Sequence, residues 1–176
     1  MIDFGEGVRL SSLSSEHKEK ARQWRNDFST WRWCRQFDLI SEIDHEKWYE
    51  AQNSNKSIRN YAILDDQCTF VGVCGFTGID HVNRHAEFSI YIGTGDRGRK
   101  LAKPALNTLF HHGFSNLNLN HIFGETFDSN PAAKLFESIG MKHDGIKRKF
   151  YFKACEYIDA HIYSVLKDEW AMKAQI

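Results

Sequence analysis

Proline is nearly absent: the 176 residues hold two, Pro104 and Pro131. With no Pro-rich or Gly/Ser-rich stretch there is no linker to divide the chain, and the length suits one domain with its own core. Cysteine is sparse too. Cys34, Cys68, Cys74 and Cys155 show no Cys-x-x-Cys spacing and the nine histidines are scattered, so no metal site is expected and the thiols should be reduced. Excess charge is also missing, since 23 Lys+Arg balance 23 Asp+Glu. That removes the electrostatic case for general nucleic-acid binding. No apolar run approaches the ~20 residues of a membrane span. Met1 leads into polar residues and not into an apolar leader. The expectation is a cytoplasmic protein with neither a membrane nor a nucleic-acid partner.

What is present is an alternation of strand-like and helix-like runs. Val8 to Leu13 predicts a first strand, and Ser15 opens an amphipathic helix to about Asn26, with Ala21 and Trp24 on one side. Phe28 to Phe37 is aromatic and basic without periodicity. Asp44 is placed to cap a helix from His45 to Gln52. Strands are predicted over Tyr61 to Leu64, Phe70 to Ile79 and Ala86 to Gly93, the first two joined by Asp65-Asp66-Gln67. A helix from Leu101 to Phe114, a strand from His121 to Phe127, a helix from Pro131 to Ile139 and strands over Ile146 to Phe152 and Tyr157 to Leu166 follow. Ala171 to Ile176 reads as a loosely held tail. The pattern is a single α/β domain, residues 1–176, with a mixed sheet.

Two segments carry chemistry. The first is Asp96-Arg97-Gly98-Arg99-Lys100-Leu101-Ala102, a basic, glycine-bearing turn between the strand Glu87 to Ile92 and a helix N-terminus. Free backbone N–H groups and the helix dipole make such a turn a ready pyrophosphate site. The second, about 30 residues later, runs from Glu125 to Met141. It combines a strand end, an Asn or Ser helix cap, Pro131 at the first helical position and a Gly140 C-cap.

Together these resemble the two acetyl-coenzyme A motifs of the GNAT N-acetyltransferase superfamily. Arg97, Gly98 and Ala102 match the first motif; Leu135, Gly140 and the Asn130 region match the second. Lys100 stands where the family has glycine and Phe136 where it has tyrosine. The second motif is one residue short, so Asn130 matches counted from Glu125 and Ser129 counted back from Gly140. Trp24-Arg25-Asn26, Ile40-Ser41 with His45 and Trp48, Asn83-Arg84 with Glu87, and Glu169-Trp170 are similar to the amino-sugar acetyltransferases of bacterial nonulosonate pathways. The downstream half also resembles spermidine and ribosomal-protein N-terminal acetyltransferases.

The resemblance implies the GNAT fold: a mixed, mostly antiparallel sheet of six to seven strands, about four flanking helices, and two parallel strands splayed at a cofactor slot. It implies acetyl-CoA as cofactor, with the motifs over 86–141 and acceptor-side elements over 20–60. The pyrophosphate is expected on the backbone of Arg97, Gly98, Arg99, Lys100, Leu101 and Ala102, helped by Arg97 or Arg99. The pantetheine arm is expected beside Ile90 and Ile92, reaching toward Asn130 and Phe136.

Acyl transfer to an amine needs a neutral amine, and an alkylamine has a pKa near ~10.4, so a base is useful at neutral pH. Alternation puts Glu87, Ser89 and Tyr91 on one strand face. The strand pattern favours Glu87 as that base and the resemblance favours Glu125; the plainer alternative for either is an ion-paired or solvent-facing carboxylate. Phenylalanine at 136 cannot protonate the departing thiolate, whose pKa near ~8.5 makes it a tolerable leaving group unaided. Tyr91 and Tyr151 are the substitutes to consider. The Trp/Arg concentration outside the motifs, including Arg25, Trp31 and Arg35, suits a sugar or nucleotide better than a polycation, unless it is core and cover. The leading expectation is acetyl transfer to an amino sugar or its nucleotide derivative, with Arg25, Trp31, Arg35 and Tyr91 at the acceptor. The alternatives are a polyamine or protein N-terminus as acceptor, and a non-catalytic CoA-binding module. A homodimer is the assembly allowed for.

Overall fold

A computed structural model describes residues 1–173. The chain runs β1 (Arg9–Ser12), α1 (Lys18–Asn26), α2 (Phe28–Trp31), α3 (Glu42–Ser54), β2 (Arg59–Leu64), β3 (Phe70–Asp80), β4 (His85–Ile92), α4 (Ala102–Ser115), β5 (His121–Phe127), α5 (Ala132–Ser138), β6 (Lys142–Lys153), β7 (Glu156–Leu166) and α6 (Lys167–Lys173). The seven strands form one sheet in the order β1-β2-β3-β4-β5-β7-β6. All neighbours are antiparallel except β4 and β5, which are parallel. No helix among the described residues is long and apolar enough to cross a membrane.

Period-two alternation puts a separate apolar cluster on each sheet face. On one, Ile63, Phe76, Phe88 and Ile122 pack with Leu106, Phe110 and Phe136 of α4 and α5. On the other, Ala62, Leu64 and Val73 pack with Ala21 of α1, and Tyr91 leans on that cluster. Trp24 is buried, as its place in the α1 stripe predicts.

Three predicted features differ. Helix α3 starts earlier than a cap at Asp44 allows, because Ser41 Oγ accepts from the Asp44 amide at 3.1 Å and so sits at the N-cap. The described residues hold six α-helices where about four were expected. One is the single turn α2, started by Asp27 Oδ1 accepting from the Ser29 amide at 2.9 Å. Another is α6, which runs on into what reads as a tail from Ala171: Glu169 Oε2 accepts from the Leu166 amide at 3.0 Å, and Trp170 packs on Phe110 and Phe114. The remainder of that tail, 174–176, lies outside the described residues.

Candidate active site

The parallel strands part. Their register runs His85↔His121, Ala86↔Ile122, Glu87↔Phe123 and stops there. Beyond it β4 stays paired with β3 as far as Ile92↔Gly72, and β5 with β7 as far as Phe127↔Ala160. Each strand thus turns one edge of backbone amides toward the gap, and such groups need partners. The ring of Phe88 stands at the fork. A Cβ on Gly124 would lie 2.4 Å from Phe88 Cε1, so only a residue without a side chain lets the ring in. A cavity of about 490 Å³ fills the gap, within the range of small-molecule sites.

One end of the cavity abuts the basic turn. Arg97 and Ala102 line it. Helix α4 behind them has neither a side-chain N-cap nor an acidic residue in its first turn, so its first amides are free for an anion. Gly98 and Lys100 both have positive φ, 91° and 59°. The motif's glycine at position 100 therefore answers a real backbone demand, and Lys100 meets it under strain. Leu101 packs on the main core. Arg97 bonds Thr30 Oγ1. Arg99, the other guanidinium expected at the pyrophosphate, is already committed: it donates to Asp65 Oδ2 at 2.8 Å and Asp96 Oδ1 at 2.7 Å. Burial pushes the Asp65 carboxyl up, but bonds from Arg99 and the Thr69 and Gln67 amides outweigh it and hold the pKa below the ordinary value. Arg99 thus ties the turn to the β2–β3 connection.

At the middle, Ile90 and Ile92 line one wall, and Asn130, Leu135 and Phe136 the other. Asn130 Oδ1 accepts from the Ala132 amide at 3.0 Å, which makes Asn130 the cap of α5, while Ser129 holds a left-handed φ of 63°. Gly140, at φ 88°, closes the helix in a Schellman turn, with the Met141 amide on the Phe136 carbonyl at 3.1 Å. Phe136 is 5% exposed, edge-on to Phe88 and Tyr163.

At the other end the two rival glutamates meet. Arg35 Nη2 lies 2.8 Å from Glu87 Oε1 and its Nη1 4.0 Å from Glu125 Oε2. Lys147 bonds Glu125 Oε1, and the Tyr151 hydroxyl donates to Glu125 Oε2 at 2.9 Å. Burial pushes the Glu125 carboxyl up; Lys147, Tyr151 and Arg35 outweigh it and hold the pKa below the usual value. Glu125 is therefore a fixed carboxylate at neutral pH. The Glu87 side chain is more open, 19% against 8%.

Of the predicted acceptor residues, Arg25, Arg35 and Tyr91 line the cavity. Arg25 Nε donates to Gln36 Oε1 at 2.9 Å and its guanidinium covers the Tyr91 ring. Tyr91 is half-buried, and its desolvation at the cavity wall pushes its hydroxyl above the ordinary phenol value, which makes it a poor proton donor. Trp31 is not in the wall; its ring lies 4.0 Å from Lys153 Nζ. Trp33, Cys34 and Gln36 line the cavity instead. Lys147 and Lys153 were not legible as site residues, because their roles depend on contacts across the sheet. The basic run at 147–149 was the one available signal, and it reads equally as a solvated turn.

A slot between diverging parallel strands, an uncapped helix at one end and paired carboxylates at the other define an acetyl-CoA-dependent acyltransferase. Residues 8–142 match the Acetyltransferase (GNAT) domain model, and the chain belongs to that family. An uncharacterized N-acetyltransferase p20 of Bacillus licheniformis is 34% identical over 76% of this chain and 73% of its own. The spermidine N(1)-acetyltransferase of Vibrio cholerae is 24% identical over 86% of each. The crystal structure of spermidine N-acetyltransferase from Vibrio cholerae in complex with CoA and spermine superposes with a TM-score of 0.90 at 21% identity. It covers 95% of this chain and 99% of that one. The chain is an N-acetyltransferase with acetyl-CoA as its cofactor. The spermidine branch named from the sequence is present among these relatives; no amino-sugar enzyme is.

Proposed function

We propose that the enzyme acetylates the primary amine of a small molecule, which enters past Trp33 and Gln36 to the end of the slot where Glu87 and Glu125 converge on Arg35. That convergence, 2.8 and 4.0 Å from one guanidinium, is the observation on which the reading rests. Acetyl-CoA supplies the acetyl group as a thioester, with the α4 N-terminus and Arg97 placed to hold its phosphates. Glu87, with Arg35 as its one cationic partner among the described residues, receives the ammonium proton directly or through water. Glu125 stays ionised and orients the amine.

The relatives support a polyamine acceptor better than the amino sugar, and two carboxylates in the slot suit ammonium groups. One observation favours the amino sugar: Arg35 and Lys147 already neutralise those carboxylates, while Arg25 and Arg97, also in the wall, hydrogen-bond the neutral Gln36 and Thr30 and form no ion pair among the described residues, with Asp27 the carboxylate in electrostatic reach of Arg97. A thiol-release assay with spermidine, spermine and UDP-linked 4-amino sugars decides. Preference for the polyamines by tenfold or more in kcat/KM establishes the first acceptor, the converse the second. Acetyl-CoA binding without thiol release on any amine makes the chain a binding module. A positioned base contributes ~10²–10⁴-fold, so Glu87→Gln should lower kcat by at least ~100-fold with acetyl-CoA affinity unchanged. Full activity in Glu87→Gln would move the role to Glu125 or to water.

A cytoplasmic location goes with this reading. So does a homodimer, because β6 is an edge strand with Ile146, Phe150 and Phe152 exposed beside Tyr157 of β7, an apolar strip of the kind that mediates association.

A further inference from the structure

The cavity wall between Trp33 and Gln36 belongs to a segment without regular structure, yet it carries Arg35 to Glu87 and Gln36 to Arg25. Something must hold it. Lys153, the last residue of β6, is 6% exposed. Its ammonium donates to the carbonyls of Trp31 at 2.6 Å, Cys34 at 2.6 Å and Gln36 at 3.0 Å, and sits 4.0 Å from the Trp31 ring centroid. An ammonium has three protons to donate, and all three are used. A buried charge is tolerated only when so satisfied. No carboxylate shares it among the described residues; burial first, and then the nearby charge of Arg25, outweigh the opposing effect of Cys34 and hold the lysine below its ordinary pKa.

The β6–β7 turn supports the arrangement. Ala154 and Cys155 both adopt left-handed φ, 52° and 66°, where a two-residue hairpin normally uses Asn-Gly. Upstream, β6 advances from Lys147 to Tyr151 while β7 moves only from Ala160 to Ile158. Beyond this bulge Tyr151 and Lys153 pair with Ile158 and Glu156, on the sheet face that bears Glu125 and Phe127. The hairpin keeps a strained turn that ends with a charged group inside the acceptor loop.

We propose that Lys153 is a positioning residue that sets acceptor binding. It ties the backbone of 31–36 to the β6–β7 hairpin and thereby aims Arg35 and Gln36 into the slot. This rests on the reading above that the loop is the acceptor side.

The test uses Lys153→Met, which keeps the stem and removes all three donors, and Lys153→Gln, which keeps two. Charge-assisted bonds dominate the loop's anchoring, so Lys153→Met should raise the acceptor KM at least ~10-fold, with kcat within ~3-fold and acetyl-CoA affinity by calorimetry unchanged, and Lys153→Gln should fall between. Hydrogen exchange at the Trp33 and Cys34 amides, now bonded to Thr30 and Trp31 carbonyls, should speed up at least ~10-fold in Lys153→Met. An unchanged acceptor KM in a variant that binds acetyl-CoA normally overturns the proposal. So does acetyl-CoA affinity lost in step with KM, which would make Lys153 a general stabiliser. Should the wild type acetylate no amine, the proposed function fails by itself, and the exchange measurement still decides whether the lysine holds the loop. If Lys153→Met does not fold, Lys153→Gln carries the same comparison.

Discussion

Lys100 shows what one departure from a motif means. The turn needs a left-handed residue there, and the lysine adopts φ 59° where glycine would do so freely. An L-residue in that region costs ~1–2 kcal/mol, and glycine's extra unfolded-state entropy returns part of it, so Lys100→Gly should stabilise by about 0.5–1 kcal/mol. By scanning calorimetry that is a rise in Tm of about 1–4 °C; a fall would show that the lysine makes a compensating contact. Phe136 is the second departure. It packs edge-on between Phe88 and Tyr163, and of the two hydroxyls considered as stand-ins for the missing one, that of Tyr151 is bound to Glu125 and that of Tyr91 is raised in pKa by desolvation. Phe136→Tyr should change kcat by less than ~10-fold if the thiolate leaves unaided. A gain of ~100-fold or more would show that the natural chain lacks an acid it needs. Glu87, Glu125, Arg25 and Arg35 were legible as single residues by strand face, motif distance and composition. That Arg35 pairs with both glutamates, and that Arg99 is spent on Asp65, was not, because no spacing rule links those positions.

At the scale of elements the fork between β4 and β5 is the central device. Its sequence traces are slight: Phe88 within an alternating strand and Gly124 within another. Gly124→Ala should push the Phe88 ring out of place, since the new Cβ would lie 2.4 Å from it. Overpacking of this kind costs ~1–3 kcal/mol, so chemical denaturation should give a lower midpoint and acetyl-CoA affinity should drop with it. Adding Phe88→Leu should restore part of both, as expected of residues in contact. An additive double variant would argue against the wedge. Helix α5 was readable almost whole, because Asn130, Pro131 and Gly140 are local start and stop signals. Helix α6 was not, since its anchor is Trp170 against Phe110 and Phe114, a contact between distant segments.

For the whole molecule, charge balance hides strong local pairing. Glu125 and Asp65 have lowered folded pKa values, so their ionised forms stabilise the fold above the unfolded carboxylate values of 4.5 and 3.8. That stabilisation is lost as the pH falls through the lowered folded values. Thermal stability should therefore drop below about pH 4.5, and Glu125→Gln should flatten the part of the profile just below that point. A wild-type Tm that stays level down to pH 3 would contradict these pairings.

The sequence by itself determined the alternation of strands and helices and the two cofactor motifs. Those features are written in nearest-neighbour chemistry: periodicity of apolar side chains, capping residues, and a glycine where a helix must end. Only the tertiary structure decided that the parallel strands separate after Glu87, that one arginine serves two glutamates, and that Lys153 reaches the carbonyl of Cys34 from 119 residues away. The physical reason is the same in each case. A buried charge or an unpaired strand edge is tolerated only through partners brought together by packing, and a linear pattern does not record which distant groups will meet.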